Sequence, residues 1–135
     1  MKIYVISFLV LIGLKGCSQE QHMNSLTRIE YTASTRGYFI NLMAQEKGVV
    51  IKKERDGKGQ LKSFTEDEWK TILKYSKGSF KNIENTNSGK EAVDAAIPAM
   101  LTLTIGEDEF EYSFDHGAPP KELKELVEYL NSFDL

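Results

Sequence analysis

The chain has 135 residues, of which 41% are hydrophobic, and a formal net charge of −3 at pH 7. This length fits one domain of ordinary size. Net acidity argues against nucleic acid as the main partner, because phosphate contacts need a positive surface. One Cys and two His exclude an intramolecular disulfide and argue against zinc or haem, so no cofactor is expected.

The N-terminal residues have the pattern of an export and anchoring signal. Lys2 precedes an apolar run over residues 3–14, which is too short to span a bilayer as a helix, since spanning takes about 20 residues. The run ends in Leu14-Lys15-Gly16-Cys17. This arrangement resembles the lipobox of bacterial lipoprotein precursors, in which Leu lies three residues before an invariant Cys and Gly lies one before it.

The resemblance implies that residues 1–16 are a signal peptide, that the Cys17 thiol receives diacylglycerol and that the new amino group is acylated. Lys15 occupies a position that is usually small or apolar in that family. Cys17 is the only Cys in the chain, and a lone thiol in an exported protein calls for an explanation. The alternative is an ordinary secretory peptide with an incidental Cys near the cleavage point.

Two further expectations follow from the same resemblance. The protein belongs to the cell envelope, and its lipid on Cys17 makes the membrane a partner, since two or more acyl chains hold a protein stably. Ser18, which follows the Cys, resembles the residue found in lipoproteins that are sorted to the outer membrane of diderm bacteria.

Charge is distributed unevenly along the rest of the chain. Residues 17–82 contain 12 Lys and Arg against 8 Asp and Glu, whereas residues 83–135 contain 3 against 12. Such asymmetry marks either a dipolar binding surface or a solvated surface whose halves interleave in the fold. Both interpretations remain open at the level of sequence.

Residues 17–27 are polar and aperiodic, which predicts a flexible tether before a single globular domain over residues 28–135. Three segments with alternating apolar residues predict strands over Arg28–Ser34, Gly37–Ala44 and Gly48–Glu54. A Gly-rich turn then precedes a short fourth strand over residues 60–64.

The first helix has a clear beginning. Thr65 and Glu68 are spaced as a capping box, which predicts a helix over residues 65–77. Phe64 and Trp69 flank the cap at the positions of a hydrophobic staple. Trp69 is therefore interpreted as a core residue rather than as a stacking platform for a ligand.

The sequence predicts secondary structure less clearly after this helix. Gly78 is expected to end it, residues 79–84 fit an edge strand, and residues 91–96 fit one helical turn inside a long loop. A hairpin follows, in which alternating strands over residues 101–105 and 109–114 flank a short turn.

The last segment predicts an amphipathic helix over Pro119–Phe133. Pro119 and Pro120 suit the first turn of a helix, and the apolar residues that follow recur at helical spacing. The predicted architecture is α+β, with an antiparallel sheet of about five or six strands and two helices packed on one face.

Asp115 and His116 are the residues best suited to acid–base chemistry. Because adjacent strand residues point to opposite faces, they are not expected to hydrogen-bond each other. Arg36 and Asp94 join them as weak candidates for a ligand site, since they lie in loops near strand ends. In the structural alternative, Asp115 caps its turn, Gly117 supplies a positive φ and Arg36 pairs with a carboxylate.

The chain contains no signature of a catalytic, metal or nucleotide site, and the acidic hairpin lacks the spacing of a calcium loop. The sequence thus predicts a membrane-anchored envelope lipoprotein that acts as a non-enzymatic binding module for an envelope protein partner. The alternative is a small envelope hydrolase that uses Asp115 and His116, assisted by Arg36 or Asp94. Convergence of these side chains in a concave pocket with perturbed pKa values would favour an enzyme or a small-ligand site.

Overall fold

A computed structural model of the protein describes residues 26–80 and 97–134, with residues 78–80 described by backbone only. The elements in chain order are β1 Leu26–Ser34, β2 Phe39–Gln45, β3 Gly48–Lys52, β4 Gln60–Ser63, α1 Glu66–Phe80, β5 Pro98–Ile105, β6 Asp108–Asp115 and α2 Lys124–Asn131. A 3₁₀ turn, Ser132–Asp134, follows α2. The α+β class and the antiparallel sheet are confirmed.

The sheet has six strands in the order β4-β3-β2-β1-β5-β6, and every neighbouring pair is antiparallel. The central strand β1 pairs with β2 through Ala33 opposite Ile40, and with β5 through Ala33 opposite Ala99. The C-terminal hairpin therefore continues the sheet on the side of β1 opposite β2.

The antiparallel order gives the sheet two distinct ends. The Leu26 end contains the start of β1 and the turns that join β2 to β3 and β5 to β6. The Tyr38 end contains the turn that joins β1 to β2, the loop that joins β3 to β4, the start of β5 at Pro98 and the end of β6 at Asp115.

Alternation of side chains separates an inner face from an outer face. The buried residues of the inner face and of the helical segments form one hydrophobic cluster, and its burial drives the fold. On the sheet these residues are Leu26, Ile29, Tyr31, Ala33, Ile40, Leu42, Ala44, Val49, Ile51, Ala99, Leu101, Leu103 and Ile105. In the C-terminal segment they are Leu123, Leu126, Val127, Leu130 and Phe133.

The beginning of α1 matches its prediction. The Thr65 backbone N–H donates to Glu68 Oε2 at 2.7 Å, and the Glu68 backbone N–H donates to Thr65 Oγ1 at 3.2 Å. The rings of Phe64 and Trp69 stack with centroids 6.3 Å apart. The capping box and the staple are both confirmed, and Trp69 is buried in the core.

We expect Thr65→Ala to lower the free energy of unfolding by about 1 kcal/mol, because the N-cap acceptor for the Glu68 N–H is lost. Ser63→Ala is the matched control, since Ser63 is exposed and lies before the cap; its effect should stay within about 0.5 kcal/mol. Urea unfolding followed by circular dichroism measures both. Equal losses in the two variants would mean that the cap does not stabilise α1.

The end of α1 differs from its prediction, because the helix continues through Gly78 to Phe80. A glycine inside a helix costs only about 1 kcal/mol relative to alanine, which is too little to end a helix by itself. Residues 79 and 80 are therefore helical and do not begin an edge strand. The remainder of that predicted strand and the helical turn predicted at 91–96 lie outside the described residues.

The final helix begins at Lys124 and not at Pro119. Helical backbone is disfavoured for the residue before a proline, which works against a helix that begins at Pro119 ahead of Pro120. The Leu123 backbone N–H closes a turn onto the Pro120 carbonyl at 2.9 Å, and α2 starts after this turn.

Smaller differences occur at strand ends. β1 includes Leu26 and Thr27, which the sequence pattern assigns to the tether. β2 starts only at Phe39, because a turn is closed by the Thr35 N–H and the Tyr38 carbonyl at 2.8 Å. The β5–β6 hairpin is longer than predicted and turns through Gly106, which has a φ of +60°.

Candidate functional site

Three of the four candidate residues lie at the Tyr38 end of the sheet. Arg36 belongs to the turn between β1 and β2, and Asp115 is the last residue of β6. His116 follows it and is attached to the start of β5 by a hydrogen bond from its backbone N–H to the Ile97 carbonyl at 2.8 Å. Asp94 lies outside the described residues.

The His116 ring lies between two tyrosine side chains. The Tyr31 hydroxyl is 2.6 Å from Nδ1, and the Tyr38 hydroxyl is 3.1 Å from Nε2. The ring centroids are 5.9 Å and 5.2 Å from that of His116, respectively. We call Tyr31, Tyr38 and His116 the Tyr–His–Tyr network; it connects β1, the first turn and the segment after β6.

The network satisfies both imidazole nitrogens at once. A neutral imidazole has one N–H donor and one acceptor nitrogen, so one tyrosine donates to His116 while the other accepts from it. No nitrogen of His116 is left for a substrate proton. A general base needs such a nitrogen within hydrogen-bond reach of the reacting group.

The tyrosines of the network remain protonated at neutral pH. Burial raises the pKa of Tyr31 to about 12, although a hydrogen bond with Asn131 acts in the opposite direction. Burial, followed by the negative charge of Asp134, also raises the pKa of Tyr38. These hydroxyls are therefore hydrogen-bonding groups and not activated bases.

Asp115 and Arg36 do not join this network. The Asp115 backbone carbonyl accepts from the Ala118 N–H at 2.9 Å, and within the described residues no hydrogen bond joins the Asp115 carboxylate to His116. Arg36 is exposed and forms no ion pair in the described part of the chain. The expected positive φ occurs at Gly106 and not at Gly117. The structure therefore brings His116 to two tyrosines and not to Asp115 or Arg36.

We expect Tyr31→Phe to lower the free energy of unfolding by about 1–3 kcal/mol, because Nδ1 of the partly buried His116 loses its hydrogen-bond partner. Tyr112→Phe is the matched control, since Tyr112 is a half-buried tyrosine of β6 without a hydrogen bond from its hydroxyl in the described part. Its effect should stay within about 0.5 kcal/mol. Chemical denaturation measures both variants, and equal values would contradict a role for the network.

Tyr31→Phe should also change how the stability of the protein depends on pH. The unfolded chain loses the tyrosine proton near pH 10, whereas folded Tyr31 keeps it until about pH 12. Its contribution to stability is therefore complete below pH 10 and declines as the pH rises from 10 to 12. Tyr31→Phe should show a smaller decline over this interval than the wild-type protein.

Two depressions in the described surface are not lined by residues of the network. One, of about 250 Å³, is next to the β3–β4 loop and is lined by Ile51, Lys53, Glu54, Gly57, Lys58 and Gln60. Another, of about 240 Å³, lies on the outer face and is lined by Arg28, Glu30, Thr32, Met100, Thr102, Glu109 and Glu111. Within residues 26–80 and 97–134, no group of three or more His, Cys, Asp or Glu is arranged to hold a metal ion.

The outer face combines an ordered polar centre with exposed apolar side chains. Asn41 Nδ2 donates to Glu30 Oε1 at 2.8 Å and to Thr32 Oγ1 at 2.9 Å. Leu61 on β4 is 73% exposed and Met100 on β5 is 42% exposed. The outer face therefore has both exposed apolar side chains and side chains that form directional hydrogen bonds.

Charge is distributed unevenly across the sheet. The basic side chains on β3, β4 and their connections are Lys47, Lys52, Lys53, Arg55, Lys58 and Lys62, and the acidic residues Glu46, Glu54 and Asp56 lie among them. The acidic side chains of the β5–β6 hairpin are Glu107, Asp108, Glu109, Glu111 and Asp115, of which Glu109 pairs with Arg28 of β1 at 3.2 Å. The two charge types are therefore only partly separated.

Comparison with protein-family models, curated proteins and solved structures found no match. None of the helices in the described part of the chain has the length and apolarity needed to cross a membrane.

Proposed function

We propose that the protein is a lipid-anchored binding module of the cell envelope, and not an enzyme. The Leu14-Lys15-Gly16-Cys17 motif and the uniqueness of Cys17 support the anchor. The observation that carries the binding role is the outer face, which combines the exposed apolar residues Leu61 and Met100 with ordered hydrogen-bonding groups around Asn41. The hydrolase alternative is less well supported, since both His116 nitrogens are engaged with tyrosines.

The helices leave this face free if they both cover the inner face, as we infer. Phe64, which precedes α1, packs against Phe133 with ring centroids 5.0 Å apart, and Tyr75 of α1 contacts Tyr129 of α2 at 5.6 Å. Lys62 Nζ lies 5.1 Å from the Phe133 ring centroid, and Lys62 belongs to the inner side of β4. These contacts support two helices that pack side by side on one face of the sheet.

The proposed anchor also limits how far the domain lies from the membrane. Cys17 lies nine residues before Leu26, and a chain of this length reaches at most about 30 Å. The Leu26 end of the sheet therefore stays within about 30 Å of the membrane surface.

Affinity purification from detergent-solubilised envelope tests the binding role. We expect tagged wild-type protein to recover a stable partner, and we expect Met100→Lys on the outer face to lose it. Lys74→Glu is the control, since Lys74 is exposed on α1. Recovery of no partner, together with loss of a measurable hydrolytic activity in His116→Ala, would overturn the proposal in favour of the enzyme.

A further inference from the structure

We infer that the free edge of β6 binds an extended segment of a partner protein in which basic and apolar residues alternate, and that this segment pairs with β6 as an added strand. The edge is distinct from the outer face, so the inference goes beyond the proposed function and does not require the lipid on Cys17. Strand addition at an open sheet edge is a general mode of peptide recognition, in which backbone hydrogen bonds supply affinity and side chains supply specificity.

The sheet has two edge strands, β4 and β6, and they differ in how open they are. β4 has only four residues and includes Lys62, which are features of a protected edge. β6 has eight residues, contains no proline and pairs with β5 along its whole length without a register shift. Within residues 26–80 and 97–134, its other side forms only the single bridge between Asp115 and Ala118. A long, regular edge of this kind is a template for pairing with another chain.

The turn before β6 determines which backbone groups face the free edge. It is a two-residue hairpin turn that starts at Gly106, so its closing pair, Ile105 and Asp108, is hydrogen-bonded. Hydrogen-bonded and non-hydrogen-bonded pairs then alternate along the two strands. The residues whose N–H and C=O groups both point away from β5, without a hydrogen bond in the described part of the chain, are Glu109, Glu111 and Ser113.

Two hydrogen bonds after β6 agree with this alternation. The His116 N–H, which belongs to the set directed toward β5, donates to the Ile97 carbonyl at 2.8 Å. The Asp115 carbonyl, which belongs to the set directed away from β5, accepts from the Ala118 N–H at 2.9 Å. The open part of the edge therefore ends before Asp115.

The inner side of β6 indicates where the apolar residues of the added strand lie. It has a row of three aromatic side chains, Phe110, Tyr112 and Phe114. Tyr112 and Phe114 are partly buried against the core, whereas Phe110 is 39% exposed. Residues opposite each other in neighbouring strands share a face of the sheet. Apolar side chains of an added strand would therefore extend this row and bury more of it.

The charge around β6 favours a basic segment. Residues 97–120 contain no Lys or Arg. Their acidic residues are Glu107, Asp108, Glu109, Glu111 and Asp115. Glu109 pairs with Arg28 at 3.2 Å, but the other four have no ion pair within the described residues.

These charges also argue against a second copy of β6 as the occupant. Two acidic strands side by side would bring like charges together, which destabilises a sheet, whereas a Lys or Arg directly opposite Glu111 would stabilise it. The segment that fits has basic residues opposite Glu109, Glu111 and Ser113, and apolar residues between them.

Peptide binding tests the inference with a defined probe. The probe is a fluorescein-labelled, amidated peptide of three Lys-Val repeats, titrated with full-length protein in a nonionic detergent and followed by fluorescence anisotropy. We expect saturable binding. A control peptide with the same three lysines and three valines in separate blocks should bind about tenfold more weakly, because it cannot place basic and apolar residues on opposite faces.

Backbone methylation distinguishes strand addition from charge attraction. In the proposed pairing, the backbone N–H groups of the three Lys residues face β6, and those of the three Val residues face away from it. N-methylation of the Lys residues should weaken binding about tenfold, because donors to the β6 carbonyls are lost. N-methylation of the Val residues is the matched control and should change Kd by less than about threefold.

Two substitutions test the edge from the side of the protein. Ser113→Pro removes an outward N–H but none of the hydrogen bonds with β5, so Kd should rise about fivefold, whereas Ser113→Thr keeps this N–H and should leave Kd unchanged. Glu111→Lys should also raise Kd about fivefold. Glu125→Lys makes the same charge change on an exposed position of α2 and should change Kd by less than about twofold.

Absence of saturable binding to the wild-type protein would overturn the inference. Equal Kd values for the alternating and block peptides, or for the Lys-methylated and Val-methylated peptides, would do the same, because charge alone would then explain binding. Ser113→Pro that binds like the wild type with unchanged thermal unfolding would also contradict it, and if that variant does not fold, the methylated peptides decide with wild-type protein. An envelope partner that is lost in Met100→Lys and retained in Ser113→Pro would leave the proposed role of the outer face intact.

Discussion

Leu126→Asp is expected to unfold the domain under conditions in which the wild-type protein is fully folded. Leu126 belongs to α2, is 0% exposed and is part of the hydrophobic cluster. A carboxylate in that position is buried without a partner, which costs several kcal/mol, and a domain of this size has only about 5–15 kcal/mol of stability in total. Val127→Asp should have the same outcome, and thermal unfolding by circular dichroism measures both.

Lys124→Ala is the control on the same helix. Its side chain is 60% exposed, and its ion pair with Glu128 is 3.8 Å long. A surface pair of this kind contributes less than about 0.5 kcal/mol, so the melting temperature should barely change. If Leu126→Asp retained full thermal stability, α2 would not be docked on the core.

Cys17→Ala is expected to move the protein from the membrane fraction to the soluble fraction, or to leave it as an unprocessed precursor. The reason is that the proposed anchor consists of acyl chains attached through Cys17, and loss of the attachment removes their membrane affinity. Fractionation of cells followed by immunoblotting measures the distribution. Lys15→Ala is the matched control, since it changes the neighbouring position to the small residue type usual in lipoboxes.

The Lys15→Ala variant should remain in the membrane fraction and be processed at least as completely as the wild type. An unchanged membrane fraction in Cys17→Ala would mean that something other than the Cys17 lipid holds the protein there. The expected difference between the two variants is close to all-or-none, which makes this the largest functional effect among the substitutions.

The sequence predicted those parts of the fold that are determined by residues close together in the chain. The capping box needs only Thr65 and Glu68, and the alternation of β1 needs only its own residues. The end of α1 and the start of α2 could not be predicted as well. Gly78 is outweighed by the rest of its helix, and the proline pair suits a turn as readily as a first helical turn.

The candidate site is formed by contacts between residues that are far apart in the sequence. His116 could be selected by residue type, but its partners Tyr31 and Tyr38 are 85 and 78 residues away. They become neighbours only when β1, β5 and β6 pair in the observed register. The spatial arrangement of the charges could not be predicted either. Composition cannot distinguish interleaved halves from a dipolar sheet until the strand order is known.

The most direct test of the lipid-anchored account is mass spectrometry of the intact native protein purified from membranes. The account predicts a chain that begins at Cys17 and carries the mass of diacylglycerol plus an acyl group on its amino terminus. A soluble, unmodified polypeptide that begins at another residue would contradict it.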